Sequence, residues 1–351
     1  MADSTLKIGN AEVPKENRLG LKAADYSGGK STLCAGCGHD AVSNQIVRAF
    51  YEMNVKPEKV AKFSGIGCSS KTPAYFLGRA HGFNSVHGRM PAVATGAMLA
   101  NHHLISIGVS GDGDTASIGL GQFMHLVRRN IPMIYIIENN GVYGLTKGQF
   151  SATSDRGSKS KRGVVNHDQS IDLVGLALQL GAGYVARSFS GDKDQLVPLI
   201  KGALAHKGAA FIDVLSPCVQ FNNHVGSTKS FDYVREHNAA MNRMDFIEAR
   251  QEILADYAPG EVELVTQHDG SILKLRKIAA DYDPTDRISA MSHLQLHQAR
   301  GEVVTGLLYV DPESKDLHDH LATVQKPLNQ LEDRELIPGS EALAGINDSL
   351  R

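Results

Sequence analysis

The chain alternates between short, wholly apolar runs and longer segments whose apolar residues recur every three or four positions. Strands buried on both faces read as continuous apolar runs, so this pattern predicts a mostly parallel sheet with helical connections. Residues 104–110 (LISIGVS) and 132–137 (PMIYII) are the clearest strands, and residues 115–129 between them carry helical spacing. Together they predict a βαβ unit. Its strands close on the polar, glycine-rich turns GDGD and ENNGVYGLT, at the carboxyl ends where open α/β sheets take their ligands. Upstream, residues 39–53 read as a helix with Val42, Ile46, Val47 and Phe50 on one face. Residues 60–64 read as a strand and 92–100 as a helix of small residues. Downstream, helices are expected over 171–180 and 193–206, and strands over 184–187 and 210–215.

Outside that alternation the pattern weakens. Residues 1–30 are polar and broken by Pro14, Gly20, Gly28 and Gly29, which predicts an N-terminal arm. From residue 235 the regular alternation is lost: 236–254 read as a helix, 270–278 and 301–312 as short strands. The expected organisation is therefore an arm (1–30), a ligand-binding core (31–234) and a C-terminal extension (235–351) that wraps the core or a neighbouring subunit. Residues 147–163 are polar and basic without periodicity, and read equally well as a solvated loop or as a flap over a ligand. His318 and His320 lie in a charged segment and read as surface histidines.

Composition narrows the function. With 42% hydrophobic and 21% charged residues the chain is an ordinary globular protein. A net charge of −2 argues against nucleic acid as its main partner. No apolar run is long enough to span a membrane, and the first twenty residues lack the apolar centre of a secretory signal, so a cytoplasmic protein is expected.

Two sets of residues carry chemistry. The four cysteines are Cys34 and Cys37, spaced as Cys-x-x-Cys, Cys68 in a turn after a strand, and Cys218 at the end of another. A reducing compartment disfavours disulfides, and four thiolates suit a zinc tetrahedron and an iron–sulfur cubane equally. The second set begins at Asp112, between Gly111 and Gly113. Magnesium shares oxygen ligands between protein and phosphate. A further ligand is expected from the next strand end, where Asn140 stands with the carbonyl of Val142 beside it. GDGDTA also reads as the Gly-x-Gly-x-x-Ala turn of a nicotinamide dehydrogenase, with Glu138 as its ribose acid. In that reading Asp112 faces the pyrophosphate with like charge and the cysteines stay idle. A zinc-stapled module without catalysis is the remaining alternative.

GDGD, a helix, an apolar strand and Asn-Asn-Gly in succession resemble the diphosphate-binding motif of thiamine-diphosphate enzymes. CAGCG, GIGCSS, HGRMPAVATG, GDGD, NNGVYGLTKGQ and SPC occur in that order over about residues 30–225. As a set they resemble the β subunits of 2-oxoacid:ferredoxin oxidoreductases. The resemblance implies an α/β thiamine-diphosphate-binding fold, with a mostly parallel sheet and helices on both faces, plus the C-terminal extension. It implies that Asp112, Asn140 and the Val142 carbonyl hold Mg²⁺, and that Cys34, Cys37, Cys68 and Cys218 ligate one [4Fe–4S] cluster. Gly111, Gly113, Asp114, Gly144, Leu145 and Thr146 would line the diphosphate and thiazolium. Ile66, Gly67, Cys68 and Ser69 would approach the thiazolium face, with His87 near the cofactor. Lys71 would meet the substrate carboxylate, and Arg89 is a similar candidate.

GIGCSSKTPAYF followed by HGRMP is closer to the 2-oxoglutarate enzymes of that family than to those acting on pyruvate. The implied reaction takes 2-oxoglutarate, coenzyme A and oxidised ferredoxin to succinyl-CoA, CO₂ and reduced ferredoxin, reversibly. Pyruvate or another 2-oxoacid, or a non-redox thiamine decarboxylase with a Cys₄ zinc site, are the alternatives. Only one diphosphate-type core is recognisable, so an α subunit carrying the aminopyrimidine-binding domain is expected, in an αβ or α₂β₂ assembly, with ferredoxin as redox partner.

Overall fold

The computed structural model describes residues 5–8, 11–160, 162–240, 262–266, 272–276 and 282–351. Along the chain, β1 (Thr5–Ile8) and β2 (Ala11–Pro14) form a separate antiparallel hairpin. Then follow α1 (Gly38–Glu52), β3 (Val60–Ser64), β4 (His81–Asn84), α2 (Met90–Ala100) and β5 (Ile105–Gly111). Next come α3 (Leu120–Arg128), β6 (Met133–Asn139), and a small hairpin of β7 (Val142–Tyr143) and β8 (Gln149–Phe150). The rest of the core is α4 (Leu173–Leu180), β9 (Tyr184–Phe189), α5 (Lys193–Ala205) and β10 (Ala209–Leu215). After α6 (Phe231–His237) and β11 (Asn238–Ala240), β12 (Val262–Thr266) and β13 (Ile272–Arg276) pair with each other. The chain continues through α7 (Arg287–Ala299) and β14 (Val303–Val310) to three short helices, the last at Ser340–Ser349.

The main sheet has eight strands in the order β11-β14-β9-β10-β6-β5-β3-β4. Its pairings are parallel except β14 against β9. Side chains alternate across it. Met133, Tyr135 and Ile137 of β6 enter one apolar cluster, with α2, α3, α4 and α7. Ile134 and Ile136 enter the other, with α1 and α5. A strand with both faces covered is largely apolar, which is why PMIYII reads as a run. Each such buried side chain contributes roughly 1.5–3 kcal/mol. Among the described residues no helix is long and apolar enough to cross a membrane.

Four expectations change. The helix over 115–129 is divided: Gly113–Ile118 is a π-helical turn, and α3 starts only after Gly119. At Gly119 the chain presses on Gly88, where a Cβ would stand 2.9 Å from that residue's Cα. The N-terminal arm is pinned at its end, since Tyr26 is buried against α1 and its hydroxyl accepts from Asn17 Nδ2 at 2.8 Å. The boundary at residue 235 does not divide the structure, because β14 completes the sheet and α7 packs its Ala290 and Leu294 into the core. The helix expected over 236–254 ends at His237, after which Asn238–Ala240 form a strand; 241–254 lie outside the described residues.

If β14 is core, Leu308→Ala must cost what a buried leucine costs, about 2–5 kcal/mol in urea denaturation. A loss below about 0.5 kcal/mol, typical of surface positions, would return β14 to the periphery.

Candidate active site

Parallel register brings distant motifs together. Ser64 pairs with Val109, Gly111 with Glu138, and Asn139 with Leu215. The turns after β3, β5, β6 and β10 therefore leave the sheet side by side. At the centre is Asp112, only 1% exposed. Its carboxylate accepts from the Ser151 hydroxyl, from Thr153 Oγ1 at 2.6 Å and from the Asn140 amide N–H at 3.3 Å. Burial raises its pKa, while those donors and the charge of Lys229 pull the other way. Asn140 is equally enclosed, and its Oδ1 accepts from the Val142 N–H at 3.0 Å. A buried carboxylate beside a fixed amide oxygen offers the hard donors that Mg²⁺ takes, so the residues present fit that ion.

Asp114 ties the surrounding turns together. Its oxygens accept from Ser110 Oγ at 2.7 Å, from the Gly88 N–H at 2.9 Å, from the Ile66 N–H at 3.4 Å, and meet His87 Nδ1. The carboxylate thereby joins three turns around the site. Gly113 is required by a close approach: a Cβ there would stand 2.6 Å from the ring of Tyr143, whose hydroxyl donates to the Gly113 carbonyl at 3.0 Å.

The cysteines lie around the next part of the same edge. Cys34 and Cys37 share a turn, with the Cys37 N–H donating to the Cys34 carbonyl at 3.0 Å. Gly144 sits between the other two: a Cβ built there would lie 3.5 Å from Cys68 Sγ and 3.6 Å from Cys218 Sγ. All four are free thiols. Burial pushes Cys37 up to about 12, with Glu138 and Cys218 adding to the rise. Burial also raises Cys68, aided by Cys218 and Cys34 and opposed by Lys71. Only a bound cation would hold such thiols as thiolates. Among the described residues no three His, Cys, Asp or Glu side chains stand close enough to grip one ion. A cubane spreads its thiolates over different irons and asks for a wider cradle than a lone zinc. Four thiols grouped about Gly144 and the Cys34–Cys37 turn are the donor set that such a cluster takes.

Beneath both sets is a buried polar group. His39 Nδ1 lies 2.6 Å from Ser216 Oγ and 3.6 Å from Glu138, and its Nε2 is 3.4 Å from Asn140 Nδ2. Burial lowers His39 to about 4, so the ring is neutral. Glu138 is fully enclosed, and burial raises its pKa well above the carboxylate range, opposed only in part by the Thr72 hydroxyl. A ribose-binding acid must be reachable, so the dehydrogenase reading fails at this residue.

Other sequence candidates are open to solvent. Lys71, Arg89, Ile66, Leu145 and Thr146 are exposed, and His87 is half-buried. Ser69 is buried under the edge, Gly67 is partly open, and a Cβ at Gly111 would meet Ser69 Oγ at 2.7 Å. Ser151, Thr153, Asn222 and Lys229 escape sequence reasoning. The basic segment 147–163 is no simple flap: Ser151, Thr153 and Ser154 are buried under the site, while Arg156, Lys159 and Arg162 stay exposed. Asn222, in the loop after Cys218, donates to the Asn140 carbonyl at 2.8 Å, and Lys229 donates to Asp155 at 2.9 Å. The only sequence signal for these is the hydroxyl spacing of Ser151-Ala-Thr153. His318 lies against His102, with ring centroids 3.5 Å apart and planes tilted by 33°.

Residues 65–214 match the family model of the thiamine pyrophosphate enzymes' C-terminal TPP binding domain. The core is thus that of a thiamine-dependent enzyme. A 2-oxoglutarate synthase subunit KorB from Methanocaldococcus jannaschii is 37% identical over 216 residues, 60% of this chain and 79% of that one. A 2-oxoacid:ferredoxin oxidoreductase subunit beta from a Sulfolobus species is 44% identical over 191 residues, 54% of this chain and 63% of that one. A solved 2-oxoglutarate:ferredoxin oxidoreductase from Magnetococcus marinus, with 2-oxoglutarate, coenzyme A and succinyl-CoA bound, superposes with a TM-score of 0.72. It is 29% identical, and the match covers 93% of this chain and 96% of that one. The chain belongs to the 2-oxoacid:ferredoxin oxidoreductase β-subunit family. Its matches span 60–63% of the length of several curated relatives.

Thr153 joins Asp112 to Asn139, which its hydroxyl reaches at 3.0 Å. Thr153→Val should therefore cost about 1.5–3 kcal/mol in denaturation, the range for bonds to a charged partner; an unchanged midpoint would show that the Asp112 carboxylate does not need it.

Proposed function

We propose that the chain is the β subunit of a 2-oxoglutarate:ferredoxin oxidoreductase, taking 2-oxoglutarate, coenzyme A and oxidised ferredoxin to succinyl-CoA, CO₂ and reduced ferredoxin, in either direction. The observation that carries this reading is the adjacency of two donor sets on one turn. Asn140 and Val142 belong to the oxygen-ligand site, and Gly144, two residues on, parts Cys68 from Cys218. Bound there, thiamine diphosphate supplies an electron sink for decarboxylating a 2-oxoacid, and an iron–sulfur cluster beside it takes electrons singly.

The chain's own residues position and shield. Asp112, Asn140 and the Val142 carbonyl would hold Mg²⁺ against the diphosphate, and Cys34, Cys37, Cys68 and Cys218 would hold the cluster. Asp114 fixes the Ile66 and Gly88 backbones, and so the walls on which the thiazolium would rest. Lys71 is exposed beside Cys68, where its charge can meet a substrate carboxylate without paying for burial. The relatives named for 2-oxoglutarate, and the 2-oxoglutarate-bound structure, favour that substrate over pyruvate.

An α subunit supplying the aminopyrimidine side completes the site. Val86 and Ile118, exposed on either side of the Gly88–Gly119 contact, give it apolar surface to cover. Free cysteines accord with a cytoplasmic setting.

The test is metal, sulfide and thiamine analysis of the α–β complex purified without oxygen. About four irons and four sulfides per chain with bound thiamine diphosphate are expected; zinc without iron would leave a non-redox thiamine enzyme. On the same complex, Lys71→Met should raise the KM for 2-oxoglutarate roughly tenfold or more, the worth of a charged hydrogen bond. An unchanged KM would remove Lys71 from substrate binding.

A further inference from the structure

We propose that His39 is a positioning residue that mechanically couples the Mg²⁺ site to the cysteine cradle; this rests on the assignment of those two sites above. The ring belongs to neither ligand set but reaches both. It stands on the first turn of α1, two residues after Cys37, and is 1% exposed. One nitrogen faces Ser216 Oγ at 2.6 Å, two residues before Cys218. The other faces Asn140 Nδ2 at 3.4 Å.

The hydrogen-bond pattern fixes the direction of each contact. Asn140 Oδ1 accepts from the Val142 N–H, so the other end of that amide is its NH₂ group. An NH₂ group only donates, which makes Nε2 of His39 the acceptor and puts the ring proton on Nδ1. Nδ1–H then donates to Ser216 Oγ, with Glu138 behind it at 3.6 Å. One ring thereby keeps the Asn140 oxygen turned away from itself and holds the strand end that leads to Cys218.

Little slack exists in this linkage. A Cβ at Gly38 would stand 2.6 Å from both Ser190 Oγ and Ser216 Oγ, so the start of α1 is pressed onto the ends of β9 and β10. Close-packed groups transmit displacement rather than absorb it. When Asn140 adjusts to a cation, the ring, Ser216 and the Cys37 turn move with it. Coupling of this kind is reciprocal: what magnesium and thiamine diphosphate do to the cluster, the cluster does to their binding.

The experiment uses the assembled complex with its cluster intact and reduced and its thiamine removed. Mg²⁺ and thiamine diphosphate are added while the electron paramagnetic resonance of the cluster is followed. The wild-type g values should shift on binding. In His39→Ala the iron content should be kept, the shift lost, and the Mg²⁺ concentration for half-maximal thiamine diphosphate binding raised roughly fivefold or more. Ser216→Ala keeps the contact to Asn140 and cuts only the cysteine side. It should lose the shift with a smaller change in Mg²⁺ dependence than in His39→Ala, since only the coupling and not the contact to Asn140 is removed, and it serves if His39→Ala cannot keep its cluster. A full shift in either variant, or none in the wild type, overturns the proposal. A wild-type complex without iron overturns the reading beneath it as well, and metal analysis shows this before any spectrum is taken.

Discussion

Parallel pairing of β3, β5, β6 and β10 is the constraint from which the site follows. Each of these strands returns through a crossover to the same starting level, so each releases its next residues at the same edge. Residues as far apart in sequence as Cys68 and Cys218 become neighbours of Gly144 without any long loop to bring them there. The antiparallel β14 does not disturb this, because it joins beyond β9 and away from the turns that carry the chemistry.

The second constraint is the enclosure of charge. Asp112 and Asp114 both lie inside the protein, where an unpaired carboxylate is costly. Each is compensated differently. Asp112 is met by hydroxyls from the segment after β8, and Asp114 by backbone N–H groups from two neighbouring turns. These compensations lock pieces of chain that have no other reason to meet. The two carboxylates of one Gly-Asp-Gly-Asp turn thus tie together different parts of the chain.

How much of this can be read from residues alone depends on the range of the interaction. β6 is legible because burial on both faces leaves a local mark, the apolar run MIYII, whereas β3 and β10 interrupt theirs with the buried Lys62 and Asp213, whose partners Pro73, Phe76 and Arg187 lie outside each strand. The Cys-x-x-Cys pair and the Gly-Asp-Gly turn are legible because their residue types are rare in that order. Gly119 as a helix break is not, since what interrupts the helix is the approach of Gly88 from a different turn. Ser151 and Thr153 are invisible for the same reason: serine and threonine in a polar loop are unremarkable until Asp112 is seen opposite them. His39 reads as one more polar residue at a helix start, and only the tertiary fold places it between Ser216 and Asn140. β14 reads as peripheral because its partner, β9, lies more than a hundred residues upstream.

That last separation governs how the protein is made. On the ribosome, every cysteine and the turns of Asp112 and Asn140 emerge long before residues 303–310, the strand that covers β9. Until then β9 presents a bare edge, and such edges recruit other strands. The nascent chain must therefore pass through an interval in which its thiols are out and its sheet is unfinished. The strand that seals β9 is thus among the last parts of the chain to be made, and the sheet stays open at that edge until it arrives.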